Sequence, residues 1–255
     1  MKSKSGAHGR RKRRDKRPAA ASSQQPSRGP EVKPEPVRAR VWDLPTRVMH
    51  WLLILLFAVL AWTGLSRTLP ELHLWAGNLL LVVLLTRLVW SAIGSDSARF
   101  VHFVRGPRAI IRYLPLLLSR RPTRWPGHNP VGALYVVAIL GLLLASCVTG
   151  LFYESWAEVR GPLAERVPRA WTVALSDWHG ALIWPMLALV AVHVLVTLGY
   201  WLFKHENRIG PIFGDGRLRL GHDPQMRMVS SGAAFLIGLV AMLGVLLMVR
   251  FGPVI

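Results

Sequence analysis

One cysteine, Cys147, in 255 residues excludes an internal disulfide, and a lone thiol in the middle of an apolar run reads as a small packing residue. Acidic residues are scarce as well. Thirteen Asp and Glu stand against 32 Lys and Arg, a formal charge of +19. None of the acids lies inside an apolar run, so the carboxylates that a proton or ion pathway usually recruits are missing from membrane depth. No stretch reads as a soluble domain, and none repeats another. The apolar run close behind a short basic start that marks a secretory leader does not occur, since the first such run begins near His50. Residues 1–40 hold almost no large apolar side chain and many Lys, Arg, Ser and Pro, so they cannot bury enough surface to fold and are expected to form a disordered basic tail.

What the chain does have is segregation. Half of its residues are apolar, 52%, which would suit a soluble domain if they were dispersed. They are instead gathered into five runs, from Val48 to Leu65, Leu72 to Ile93, Val131 to Phe152, Trp178 to Phe203 and Ser231 to Val249. Each is close to the ~20 residues a helix needs to cross hydrocarbon about 30 Å thick. Lipid offers no partner to an open backbone amide, and the runs lack the alternation of a barrel, so the expected fold is an all-α membrane bundle. If the chain crosses at every run, one side of the membrane receives 14 Lys and Arg before the first run, 7 between the second and third and 5 between the fourth and fifth. Positive residues stay inside during insertion. The N-terminus is therefore expected in the cytoplasm, the C-terminus in the periplasm, and the basic excess against anionic lipid headgroups. A nucleic-acid arm is the lesser reading of KSKSGAHGRRKRRDKR, and nucleic acid is not the expected partner. The segment FVHFVRGPRAIIRYLPLLLSR is too charged to span and is expected to lie in the headgroup plane. The connection from Tyr153 to Asp177 has room for a short surface helix, and Trp42, Trp51, Trp75, Trp90, Trp125, Trp178 and Trp201 fall near run ends, as an aromatic belt would place them.

Four of the nine histidines, His50, His73, His179 and His193, lie within or at the ends of these runs. Imidazole at membrane depth is costly and needs a partner, so each is a functional candidate. His179 and His193 are 14 residues apart, which on a helix puts them within roughly 40° of one face and about 21 Å apart in depth. His50 opens the first run at the inner side and His73 opens the second at the outer side. The levels match in two pairs, His50 with His193 and His73 with His179, and two opposed imidazoles at one depth are what a six-coordinate haem iron requires. A zinc site would want three or four ligands at one point. A proton path and purely structural histidines remain as alternatives. Arg87, 14 residues after His73, shares its face and falls near the inner pair, where it meets either an anionic cofactor group in bidentate geometry or the lipid headgroups. Met186, midway between His179 and His193, reads as packing.

The segments WDLPTRVMHW, LHLWAG, LTRLVWSAIGS, ARFVHFVRGPRAIIRYL, GHNPVGALYVV, VTGLF, WHGAL and VHVLVTLGYWLFKHENRI occur in that order between Val41 and about Phe213. Together they resemble the bacterial di-haem cytochrome b-561 family, which includes b-type cytochrome subunits of nickel-iron hydrogenases. The resemblance implies a four-helix core holding two haem b, axial ligands at His50, His73, His179 and His193, and electron transfer between the quinone pool and a redox partner. The tail before Arg40 and the fifth run after Ser231 depart from that core.

The expected organisation is a tail over 1–40, a four-helix cytochrome b domain over 41–213, a cytoplasmic linker over 214–230 and an additional C-terminal membrane helix over 231–255. The expected function is respiratory electron transfer in a bacterial inner membrane between quinol and a hydrogenase-like or c-type cytochrome partner, with a homodimer among the options. A stand-alone quinone oxidoreductase acting on superoxide and a haem-free adaptor with a polyanion-binding tail are the alternatives. Thr46 and Arg47 in the first segment and His128 and Asn129 in GHNP gather at the inner end as candidate contacts to a quinone or a haem propionate, against a reading as ordinary capping.

Overall fold

A computed structural model describes residues 36–120, 123, 125–154 and 159–251; most of the basic tail lies outside them. In chain order the elements are strand β1 (Val37–Arg40), α1 (Leu44–Ser66), α2 (Pro70–Ile93), α3 (Phe100–Phe103), α4 (Pro107–Leu118), α5 (Pro130–Leu151), a 3-10 turn (Ala164–Arg166), α6 (Arg169–Lys204), α7 (Gly210–Phe213), β2 (Arg217–Leu220) and α8 (Ser231–Arg250). Five of the helices, α1, α2, α5, α6 and α8, are long and apolar enough to cross a membrane.

The helix ends follow from local chemistry. Asp43 caps α1, its Oδ1 accepting from the Thr46 amide at 2.9 Å, with Pro45 in the first turn where no amide partner is needed. Its other carboxylate oxygen accepts the indole N–H of Trp90 at 3.0 Å, which ties the start of α1 to the end of α2. Arg67, in the left-handed region, closes α1, and Pro70 opens α2 three residues later, a connection so short that the two helices must be antiparallel neighbours. Asn129 caps α5 through the Gly132 amide at 2.7 Å. α6 has 36 residues, about 54 Å at 1.5 Å per residue, and outruns the hydrocarbon thickness.

α1 packs on α2 and α5 on α6, and these two hairpins meet along α2 and α5, while α8 covers another side of α2. In lipid such contacts rest on close packing and side-chain bonds more than on escape from water. α2 is accordingly the most enclosed span, and Gly238 of α8 brings its bare Cα against Thr86. The segment before α8 is pinned to the end of α2. The Val229 amide donates to Ser95 Oγ at 3.0 Å, and the Arg227 amide to Asp96 Oδ2 at 2.9 Å.

Several expectations about the ends and connections need correction. Val37–Arg40, placed in the disordered tail, and Arg217–Leu220, placed in the linker, pair as an antiparallel ribbon. One face of that ribbon buries Ala39, Leu218 and Leu220 against Val41, Trp42, Ile212 and Met226. Gly216 turns the chain into β2 at φ +76°, its carbonyl accepting from Val41 N and Trp42 N, so close to the Trp42 backbone that no Cβ would fit. The fourth membrane helix starts nine residues earlier than the apolar run, because its first turns carry Arg169, Ser176 and Asp177. Two of the seven belt tryptophans are not at the surface: Trp90 is fully buried and Trp42 nearly so, whereas Trp51, Trp75, Trp178 and Trp201 are exposed.

Candidate functional site

The chain alternates between two ends of the bundle. α1 and α5 start at the end that carries the ribbon, here the ribbon end, where α2 and α6 finish; α1 and α5 finish at the far end, where α2 and α6 start. α6 therefore carries His179 towards the far end and His193 towards the ribbon end. His73, in the first turn of α2, faces His179 with ring centroids 6.2 Å apart. His50 of α1 faces His193 at 6.4 Å. Two metal–imidazole bonds of about 2 Å, plus roughly 1 Å from each nitrogen to its own ring centre, give a separation of about 6 Å for two imidazoles sharing one metal atom. Both pairs have the spacing of an axial ligand pair. Among the described residues no three His, Cys, Asp or Glu side chains converge on one point.

At the far-end pair the ring orientation is set by neighbouring helices. His179 Nδ1 lies 2.9 Å from the Ser146 carbonyl oxygen, which can only accept, so Nδ1 carries the proton and Nε2 keeps its lone pair. Thr149 Oγ1 is 3.2 Å from the same nitrogen. His73 Nδ1 is 2.8 Å from Thr63 Oγ1, whose own proton is directed to the Val59 carbonyl at 2.8 Å; the hydroxyl thus accepts from His73, and Nε2 again holds the lone pair. Each threonine is followed by a glycine that gives its histidine room. A Cβ on Gly64 would sit 3.2 Å from His73 Cε1, and one on Gly150 2.9 Å from His179 Cε1. Both pair members line a cavity of about 520 Å³, with Gly77, Gly180 and the buried Met186 in its wall. Thr63, Thr149 and the two glycines were missed by sequence reasoning. The repeated Thr-Gly-Leu at 63–65 and 149–151 was the available signal.

The ribbon-end pair is surrounded differently. The Tyr135 ring stacks on His193 at 5.2 Å and 18°, while its hydroxyl donates to the Leu189 carbonyl. His50 Nδ1 is buried with no hydrogen-bond partner among the described residues. Arg87 is buried and donates to Ser91 Oγ and, at 3.4 Å, to the Ala98 carbonyl, so its guanidinium is enclosed by protein at the ribbon end of α2. His128 sits between Trp42 and Phe103, with ring centroids 4.9 and 4.6 Å away. Burial, reinforced by Arg87, His50, Arg208 and His193, lowers its pKa to about 3, so at neutral pH it is an uncharged imidazole, and its Nδ1 has no partner among the described residues.

The other three candidates at this end are not equivalent. Asn129 is committed to the α5 cap and donates to Tyr200 Oη at 3.1 Å. Arg47 points away, donating to the carbonyls of Ile212 and Gly214. Thr46 keeps a buried hydroxyl without a partner among the described residues. His128 and Thr46 therefore retain hydrogen-bonding capacity, whereas Asn129 and Arg47 largely spend theirs on the fold.

The sequence profile of prokaryotic cytochrome b561 matches residues 41–215. A probable Ni/Fe-hydrogenase B-type cytochrome subunit of Azotobacter vinelandii is 25% identical over 213 residues, covering 70% of this chain and 88% of the relative. The probable Ni/Fe-hydrogenase 1 B-type cytochrome subunit of Escherichia coli K12 is 30% identical over 195 residues, covering 62% and 81%. The corresponding Rhizobium leguminosarum protein is 24% identical over 218 residues, covering 70% and 88%. No solved structure matches. The profile spans most of the described chain, and the chain belongs to the prokaryotic cytochrome b561 family, as a multi-pass membrane cytochrome that carries haem b and transfers electrons.

Proposed function

We propose that the chain binds two b haems, one between His50 and His193 and one between His73 and His179, and relays electrons between the quinone pool and a hydrogenase-type partner. The observation that carries this reading is the pair of imidazole separations, 6.4 and 6.2 Å, at two levels of one helix. Bound haem supplies reversible one-electron transfer. The protein's part is to present Nε2 lone pairs at both levels, to fix the far-end tautomers through Ser146 and Thr63, and to hold the levels about 21 Å apart along α6. Four membrane helices, α1, α2, α5 and α6, form the haem-binding bundle, and α8 is an accessory span outside the family-matched residues. The hydrogenase partner is supported by the relatives, which bear that name. The excess of Lys and Arg at the ribbon end supports a cytoplasmic ribbon and a periplasmic C-terminus. The purified full chain tests the proposal directly: about two haem b per polypeptide and a b-type reduced-minus-oxidised spectrum are expected, and a haem-free protein refutes it.

The tautomer-fixing bonds make a graded prediction. Thr63→Val removes the Thr63 hydroxyl that accepts from His73 Nδ1–H, so the ligand becomes less electron-rich and the potential of the far-end haem rises, by up to about tenfold in its redox equilibrium, ~59 mV for one electron. Thr149→Val leaves the Ser146 carbonyl bonded to His179 and is expected to shift it less. A spectroelectrochemical titration of both variants checks the order, and Thr63→Ser is expected to restore the wild-type value.

We place the quinone headgroup at the ribbon end, against Thr46 Oγ1 and His128 Nδ1, two of the buried polar atoms there that have no hydrogen-bond partner among the described residues. Arg47 and Asn129 act as supports through Gly214 and the α5 cap. His128→Ala combined with Asn129→Ala is expected to slow haem reduction by a soluble quinol about tenfold or more, the scale of losing one or two buried hydrogen bonds, with haem content unchanged. Unaltered stopped-flow rates remove the site from this location.

A further inference from the structure

The ribbon carries a feature that its fold does not need. Register places Arg38 directly opposite Arg219 and Arg40 directly opposite Arg217. Because side chains alternate along a strand, these four arginines share one face, and all four are exposed. Like charges directly opposite one another destabilise an antiparallel pair. Here both cross-strand pairs on the face are Arg–Arg. Among the described residues one carboxylate, Asp215, pairs with them, reaching Arg38 at 3.1 Å while both side chains stay more than half exposed. The opposite face already anchors the ribbon through Ala39, Leu218 and Leu220.

The ribbon's position indicates what it meets. β1 is separated from α1 by Val41, Trp42 and Asp43 alone, and β2 follows α7 just as closely. Directly beside it the exposed Leu44, Val48 and Phe213, with Trp51 edge-on to Phe213 at 3.9 Å, mark the start of the apolar belt. Four residues of strand span about 13 Å, and the headgroup layer on each side of the hydrocarbon is roughly 5–8 Å thick. On those lengths an arginine face beside the apolar belt is within reach of headgroup phosphates. β1 precedes and β2 follows the family-matched residues 41–215, so this face belongs to the segments flanking the cytochrome domain.

We infer that the four-arginine face of the ribbon is a binding site for the phosphates of anionic phospholipids. Guanidinium groups at this density bind phosphate in bidentate geometry, and the lipid neutralises the cross-strand repulsion, so that the ribbon clasps the two ends of the cytochrome domain most firmly against an anionic membrane. The inference rests on the ribbon end of the bundle lying at a membrane surface.

The test uses the full chain in nanodiscs of phosphatidylcholine alone or with phosphatidylglycerol, and compares wild type with the R38Q/R40Q/R217Q/R219Q variant. Thermal unfolding is followed by tryptophan fluorescence, and haem content is recorded in each sample. Each arginine near an anionic surface is worth about a fivefold change in binding. Wild type is expected to melt higher in phosphatidylglycerol, by a margin that shrinks with salt, and the variant to lose most of that margin. In phosphatidylcholine the variant should equal or exceed wild type, since its like-charge pairs are gone. A variant that keeps the whole margin overturns the inference, because Arg105, before α4, and Arg108 and Arg112 within it then account for it. Inorganic phosphate or an acidic polypeptide that reproduces the margin in phosphatidylcholine also overturns it, by assigning the face to a soluble anion. Should the quadruple variant misfold, R38Q/R219Q and R40Q/R217Q are each expected to lose about half the margin. Unchanged haem content throughout separates failure of this inference from failure of the haem assignment.

Discussion

His193→Ala is expected to yield a protein with about half the wild-type haem, retaining the far-end centre, and His179→Ala to do the reverse. Each substitution strips one axial bond at one level. The other level keeps both of its imidazoles, 6.2 Å apart for His73 and His179 or 6.4 Å apart for His50 and His193. Compensation between levels is excluded by length, since α6 separates its two histidines by about 21 Å. A pyridine haemochromogen assay against protein concentration measures the loss, and the residual redox titration identifies the surviving haem. Equal depletion of both centres by either variant would point to one shared site or a collapsed bundle.

Gly150→Val should act as strongly without touching a ligand. A Cβ at that position lies 2.9 Å from His179 Cε1 and 3.3 Å from its Nδ1, closer than packed atoms tolerate. The ring cannot simply swing aside, because Ser146 holds its Nδ1 from the same helix that carries Gly150. Loss of the far-end haem is therefore expected, again about half the total, with the ribbon-end spectrum intact. Gly141→Ala in the same helix is the control. Nothing lies within 4 Å of a Cβ there, and trading glycine for alanine in a helix changes stability by at most about 1 kcal/mol, in the favourable direction. Full haem content in Gly150→Val would mean that His179 does not hold a haem.

Much of this arrangement is legible in the sequence. Apolar run length located all five long helices, because a bilayer leaves the chain no other economical backbone. The 14-residue interval between His179 and His193 determined that both face one side at two depths. Boundaries were less legible: α6 begins at Arg169 because helices continue past the hydrocarbon into polar turns, where hydropathy carries no signal. Arg87 was read as seeking an anion, yet it also finds Ser91 and the Ala98 carbonyl, partners supplied by a chain reversal after α2 that no periodicity announces. The ribbon was hidden for a related reason. Alternating arginines in VRAR and RLRL look like solvated polycation until two segments 177 residues apart at Arg38 and Asp215 are brought together. Trp42 and Trp90 resembled belt residues because they sit at helix ends, and only the indole bond from Trp90 to Asp43 makes that end a buried one.

An experimental density map of the full chain, purified with its native cofactors, is the most direct measurement of the central claim. The expected map contains two porphyrins per polypeptide, one ligated by His50 and His193 and the other by His73 and His179, with Met186 between their levels. A single porphyrin, or an iron held by any other pair of residues, would contradict the account.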